Sequence, residues 1–458
     1  MDIKFYALIS CIPLLYIIRK FIHKKDINCF DIILSFHTLY FAIIPLLFNI
    51  KDIGYNIVKN NNQIIFETFI YYTLFIYTLL FIDIYYSNSS PKKNSLFNFT
   101  HSIRQWMIQY NLNNSIIYKI ILIEIFLIIV QYITYKIATM VGIGAMDNLR
   151  ENSKALQSPF IMLLFSSATL LRPYTLFIIT TLWIKNKFTK KKEKYLFYLE
   201  NIILIILYLQ ISRTYIFEAF IIVSLILYSV YKEKIQLIHY IKACIGVLLI
   251  VGVIFPFVSA FRKARKAVIN NEHISITETI HKTIEIISDG NLEKKGVDNK
   301  EARSWGAYQN LVLSSYYHYE GNGKLTSEAI SYGIPKIIYP QKSKIGSQGI
   351  IEQELKIYTD LTDSILLFAQ MENRSIGFLY ANFIFICILS IWNNLKRFFT
   401  RFFKSGIIIP LFFIEIIFLT SRIETSPDQF ISTFIQFTIW PIIIYFFVHK
   451  SIKKEIYS

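Results

Sequence analysis

The run Ile64–Tyr86, IIFETFIYYTLFIYTLLFIDIYY (64–86), decides the class of this chain. It holds only two charges, Glu67 and Asp83, one near each end. As a helix rising about 1.5 Å per residue it reaches roughly 30 Å or more, the thickness of a hydrocarbon core. It is followed after a few polar residues by Pro91-Lys92-Lys93, a basic stop. The same arrangement recurs along the chain. Apolar runs at 3–22, 29–50, 64–86, 116–138, 159–184, 195–212, 214–231, 241–261, 375–395, 406–421 and 429–448 give about eleven spans. The 458 residues are 54% hydrophobic and 16% aromatic, with mean hydropathy +0.44, values foreign to a soluble domain of this length. The expectation is an all-α polytopic membrane protein.

The formal net charge of +17 invites a nucleic-acid reading, but its distribution excludes one. Alternate loops are basic: RKFIHKK (19–25), PKK with Arg104, KNKFTKKKEK (185–194), KEK (232–234), KRFFTRFFK (396–404) and KSIKK (450–454). The intervening short loops are poor in Lys and Arg. That alternation is the positive-inside pattern, and it puts the amino terminus outside and the carboxyl terminus in the cytoplasm. Residues 3–22 have a charged flank but no small-residue cleavage site, so they read as a first span and not as a cleaved signal. The four cysteines, Cys11, Cys29, Cys244 and Cys387, form no CxxC pair and predict neither a disulfide framework nor a metal site.

One segment breaks the alternation. Residues 262–364 form a long polar insertion of nearly balanced charge, which the topology puts on the outer face. The chain thus divides into spans 1–8 over 1–261, this outer subdomain, and spans 9–11 with a cytoplasmic tail over 365–458. Helices are expected at 274–290, ending at Gly290, and at 304–319. In GNGKLTSEAI (321–330) a turn leads into a helix with Thr326 or Ser327 near its cap. Then comes SYGIPKIIYPQK (331–342), whose two prolines exclude a helix interior and hold the chain extended. Long non-membrane insertions in compact proteins usually carry function.

Three stretches carry a family resemblance. Ile334-Pro335-Lys336 followed by Tyr339-Pro340-Gln341-Lys342 resembles the Ile-Pro-Arg and Pro-x-Lys-Pro signature of the oligosaccharide repeat-unit polymerases (the O-antigen, or Wzy-type, polymerases of bacterial surface polysaccharide assembly). Lys336 stands where arginine is common, and Ser343 replaces the final proline. Ser212-Arg213-Thr214 and Ile376-Gly377-Phe378-Leu379-Tyr380 are the other two matches. The resemblance implies a GT-C-like membrane glycosyltransferase architecture in the bacterial cytoplasmic membrane. It also implies transfer of a growing glycan from undecaprenyl diphosphate to the non-reducing sugar of a new lipid-linked unit. No cofactor and no metal is implied. Implied partners are undecaprenyl-diphosphate-linked oligosaccharides, the bilayer, and a chain-length regulator and flippase.

That reaction needs cations for the leaving diphosphate and a base for the acceptor hydroxyl. Cations at or near the outer side are Arg172, Arg213, Arg262, Arg265, Arg303, Lys336, Lys342 and Arg374. Arg213 stands between two apolar runs, where a lone arginine is either functional or a snorkelling anchor. Arg172 precedes Pro173 in mid-span, where it either caps freed carbonyls or faces a cavity. Candidate bases are Glu328 and His318, with Glu320 and Asp147 behind them. Glu67, Asp83, Glu124 and Glu415 fall in or near spans and cannot be ranked from sequence. A flippase of lipid-linked oligosaccharide and an O-antigen ligase are the competing readings. The first would show internal repeats, which are not visible here. The second differs in acceptor alone.

Overall fold

The structure is a computed structural model. It describes residues 3–43, 62–88, 98–112, 115–140, 159–185, 194–196, 198–203, 214–236, 238, 257, 260–261, 264, 276–288, 310–334, 339, 341, 346–355, 364–403, 427, 431, 442–443, 445–447 and 452–454. These are predominantly helical, and the chain forms two compact units. The first comprises residues 1–102, 298–404 and 415–439, and the second 103–297, 405–414 and 440–458.

In the first unit, α1 (Ile3–Ile22), α2 (Cys29–Thr38) and α3 (Asn62–Asn88) pack on one another. Pro13 lies inside α1 and cannot donate to the carbonyl four residues back. That carbonyl, on Ile9, instead accepts from the Tyr77 hydroxyl of α3 at 3.0 Å. The start of α2 is a reciprocal cap. The Asn28 side chain accepts the Asp31 N–H, and Asp31 Oδ2 accepts the Asn28 N–H, both at 2.9 Å. This satisfies two donors that a helix start otherwise leaves open. Beyond Thr38 the helix widens into a π turn, Leu39–Ile43, and the Tyr72 hydroxyl donates to the His37 carbonyl at 2.7 Å.

The later part of this unit holds a helix at 310–317, here α4, then α5 (Lys324–Gly333), α6 (Gly346–Glu354), α7 (Ile365–Glu372) and α8 (Gly377–Phe402). Every residue of α7 is buried. Ser364 caps it, accepting the Leu367 N–H at 3.0 Å. α8 packs on α3 and α7, and α5 packs on α6 and α7. The approach of α8 to its neighbours is close at Gly377. A Cβ there would meet the Ala369 carbonyl at 2.5 Å, Gln370 Cα at 2.8 Å and the Tyr71 hydroxyl.

The second unit is built on α9 (Ser115–Met140), α10 (Pro159–Ile184) and α11 (Thr214–Tyr231), with α10 against both others. Pro159 occupies the first turn of α10, where a missing N–H costs nothing. A minimal antiparallel pair, β1 (Tyr110–Leu112) with β2 (Ile452–Lys454), is a small departure from the all-α expectation.

Helix bounds and expected spans coincide closely for 3–22, 64–86, 116–138, 159–184 and 214–231. The span expected at 375–395 is a helix that continues through Phe402, so most of the expected basic loop 396–404 is helical. Two helices among the described residues are long and apolar enough to cross a membrane, Gln63–Ser87 and Gly377–Phe402. The runs at 406–421 and, for the most part, 241–261 and 429–448 lie outside the described residues. In the insertion, the helix expected at 274–290 is found at Ile276–Ser288, and the one expected at 304–319 is described at 310–317.

Candidate functional site

Of the expected site residues, Arg213, Arg262, Arg265, Arg303, Lys336 and Lys342 lie outside the described residues, as do Asp147 and Glu415. Arg172, His318, Glu328 and Arg374 are described. Arg172 belongs to the second unit, where it is only 5% exposed on α10. Its carbonyl accepts the Thr175 hydroxyl at 2.9 Å, beside Pro173. The other three lie in the first unit, around the helices of the insertion.

Glu372 organises that region. It ends α7, where a carboxylate is disfavoured by its own helix dipole, yet it is completely buried. The compensation comes from the first turn of α5. Glu372 Oε2 accepts the Leu325 N–H at 3.2 Å, and Oε1 accepts the Thr326 N–H at 2.9 Å. The Thr326 hydroxyl donates to the same Oε1 at 2.5 Å and lies 2.8 Å from the Tyr380 hydroxyl of α8. The expected cap at Thr326 or Ser327 is therefore corrected. Gly323, with φ +92°, sits at the cap and supplies no side-chain bond. Thr326 comes too late to cap, and the carboxylate of another helix does the work. Negative charge at a helix amino terminus, bonded to its open N–H groups, is the favourable arrangement.

The backbone is stitched in parallel. Gly321 N–H donates to the Met371 carbonyl at 2.8 Å, and Asn322 N–H to the Glu372 carbonyl at 3.2 Å. A Cβ on Gly321 would run into Glu372 Oε2, so this approach requires glycine. Below the stitch, Gln370 Nε2 donates to Ser315 Oγ at 2.8 Å, and Ser315 lies 3.0 Å from the Thr68 hydroxyl of α3. The insertion is thus tied to α7 directly and to α3 through α4.

Glu328 rides on α5, two residues beyond Thr326. It is half-buried, and its Oε2 is shielded from solvent with no hydrogen-bond partner. His318 closes α4 with a left-handed backbone (φ 54°) and an exposed side chain. Neither side chain pairs with the other among the described residues. Tyr319, next to His318 in the chain, has its phenol held above the ordinary tyrosine range by burial, with the carboxylates of Glu354 and Glu372 adding to the effect. Arg374 Nη2 lies 3.9 Å from Glu67 Oε2, with both side chains well exposed, at 37% and 43%. Immediately after α5, Ile334 turns extended (φ −72°, ψ 133°), as a residue before proline must. Tyr339 and Gln341 are exposed.

Two groupings of charge were not legible in the sequence, which placed Asp83 and Glu124 in or near spans without partners. Lys20, counted there as loop charge, is buried between Asp31 Oδ1 and Asp83 Oδ2, at 2.7 Å from each. Asn28 Nδ2 donates to Asp83 as well. In the second unit Glu124 is 1% exposed, with Asn201 Nδ2 3.5 Å from both of its oxygens. No sequence spacing announces either grouping. Comparison with protein-family models, curated proteins and solved structures finds no match to this chain.

Proposed function

We propose that this chain is a polytopic glycosyltransferase of the bacterial cytoplasmic membrane. On this reading it polymerises undecaprenyl-diphosphate-linked oligosaccharide units at the outer face. The observation that carries the reading is the placement of Glu328. A shielded, unpartnered carboxylate oxygen sits on a pinned helix that leads straight into the Ile-Pro-Lys and Pro-x-Lys motif. Glu328 takes the proton of the acceptor hydroxyl. The freed oxygen attacks the anomeric carbon of the growing glycan, and the bond from that carbon to the diphosphate oxygen breaks. Lys336, Lys342, Arg303 and Arg374, which belong to the same unit as Glu328, stabilise the departing undecaprenyl diphosphate, since cations act where charge develops.

The surface of the helices supports membrane embedding, and the apolar runs of the sequence set the count at about eleven spans. α1 exposes Phe5, Leu8, Leu15 and Ile22 while burying Ser10 and Lys20. α9 exposes Tyr118, Leu122, Ile129 and Tyr132 while burying Glu124. Apolar groups outside and charges inside suit hydrocarbon as the solvent and water poorly. On this reading residues 262–364 are the outer insertion between spans 1–8 and spans 9–11, its part from 298 onward belonging to the same unit as Glu328. A chain-length regulator and a flippase are the expected partners.

The test is deletion of the gene, with the surface polysaccharide resolved on a gel. Loss of the long-chain ladder with single units still displayed supports a polymerase. Loss of all display refutes it in favour of flipping or ligation. Lys342→Ala, at normal protein level, should reproduce the deletion. Full-length chains from it would remove that residue from the mechanism.

A further inference from the structure

We propose that Glu372 is a positioning residue, fixing α5 and through it Glu328. For its functional half this rests on the polymerase reading above. The structural half stands by itself. Four donors converge on one buried carboxylate or its backbone: the N–H groups of Leu325 and Thr326, the Thr326 hydroxyl, and the Asn322 N–H on the Glu372 carbonyl. The carboxylate comes from the end of α7, a fully buried helix, so its own position is set by packing. The helix it holds has less packing of its own. α5 is ten residues long, with only Leu325, Ala329 and Gly333 buried. A helix this short is not stable from its own backbone bonds and needs tertiary anchors.

Geometry then ties anchor to base. Thr326 and Glu328 are two residues apart on one helix, so the bonds at Thr326 fix the height and rotation of the turn that carries Glu328. Glu372 touches no reacting atom. Its effect passes through the backbone of α5. The absence of a side chain at Gly321 completes the device, because a methyl there would displace Glu372 Oε2 without changing any charge. Two different substitutions therefore break the same lock by different routes, one by removing the charge and one by crowding it.

The experiment uses the full-length protein in its host membrane and, purified, in lipid nanodiscs. Glu372→Gln and Gly321→Ala are each compared with wild type for amide exchange of 324–333, for thermal midpoint, and for modal glycan length. Charge-assisted hydrogen bonds of this kind make about a ten- to hundredfold difference in local opening. Exchange at Leu325 and Thr326 should accelerate by that factor in both variants, by more than the accompanying fall in thermal midpoint accounts for and by more than exchange elsewhere in the chain. Chain growth should fall in both, and adding Glu372→Gln to Glu328→Gln should cause no further loss. That last readout separates positioning from bulk stability, which would give additive losses. Unchanged exchange in Glu372→Gln overturns the proposal. So does accelerated exchange with normal chain length in cells whose gene deletion abolishes the ladder. If deletion itself leaves the ladder intact, the polymerase reading fails, and the exchange measurement alone decides whether Glu372 fixes α5.

Discussion

Replacing Lys20 by Met should destabilise the protein more than any single carboxylate removal at the same place. Lys20 Nζ sits 2.7 Å from Asp31 and 2.7 Å from Asp83, with side-chain exposures of 7%, 1% and 0% for the three residues. The cluster holds one cation and two anions, so its net charge is −1. Removing the cation leaves two buried carboxyl groups facing each other, with the Asn28 N–H and amide and Ser87 as their remaining hydrogen-bond partners among the described residues. Breaking a buried pair in this way costs about 3–5 kcal/mol. Asp83→Asn, by contrast, leaves the neutral Lys20–Asp31 pair and an amide in place of a carboxylate, a loss of about 1 kcal/mol. The fully neutral Lys20→Met/Asp31→Asn/Asp83→Asn variant should recover most of the loss, because no uncompensated charge remains. Detergent-unfolding midpoints of the purified protein measure all three. The reasoning fails if Lys20→Met loses no more than Asp83→Asn, or if the triple variant is the least stable of the set.

Other outcomes follow from single contacts. Gly377→Ala should cost about 1–3 kcal/mol in the same assay, because two of the three atoms a methyl would strike belong to backbone and cannot step aside. Gly323→Ala meets open space and should cost only about 1–2 kcal/mol, the penalty of a left-handed backbone at φ +92°. Arg374→Ala should change stability by less than about 1 kcal/mol, since its contact with Glu67 is long and exposed. A large loss of polymer in that variant would then report on chemistry and not on folding. Tyr319 should ionise above the ordinary tyrosine range in a difference-absorbance titration of wild type against Tyr319→Phe. A raised folded value makes its contribution to stability complete below the unfolded value near 10 and lost as pH rises through the folded one.

Much of the helical frame is readable because it is written in uninterrupted local runs. The run at 64–86 is found as Asn62–Asn88, and the runs at 159–184 and 214–231 are helical over the same residues. Pro335 likewise announces the extended Ile334 before any coordinates exist. The site is another matter. Glu328 stands out in sequence only for its place ahead of the proline motif; that its Oε2 is shielded from solvent is set by tertiary packing and is not legible there. His318 was selected from its aromatic neighbours, and it proves to be an exposed helix terminator. A left-handed histidine leaves no trace in hydropathy or charge.

The residues that sequence reasoning missed share one physical cause. Glu372 meets Thr326 across 46 positions, and Lys20 meets Asp83 across 63. In each case the partner's chemistry contradicts local logic. A carboxylate at the carboxyl end of α7 is locally wrong, and becomes right only because the amino end of α5 arrives there. A lysine at the end of α1 is locally a topology signal, and becomes core only because two aspartates on other helices enclose it. Charge near a helix end thus has two meanings, solvated flank or buried clasp, and the difference between them is a tertiary contact. In a chain whose helices present apolar faces outward, the second meaning carries extra weight. On the membrane reading proposed above, buried charge is then a main means of choosing which helices meet, since hydrocarbon outside would give apolar faces no preference for one another. Glu372 and Lys20 are accordingly better guides to which parts of this protein must hold together than any of its apolar contacts.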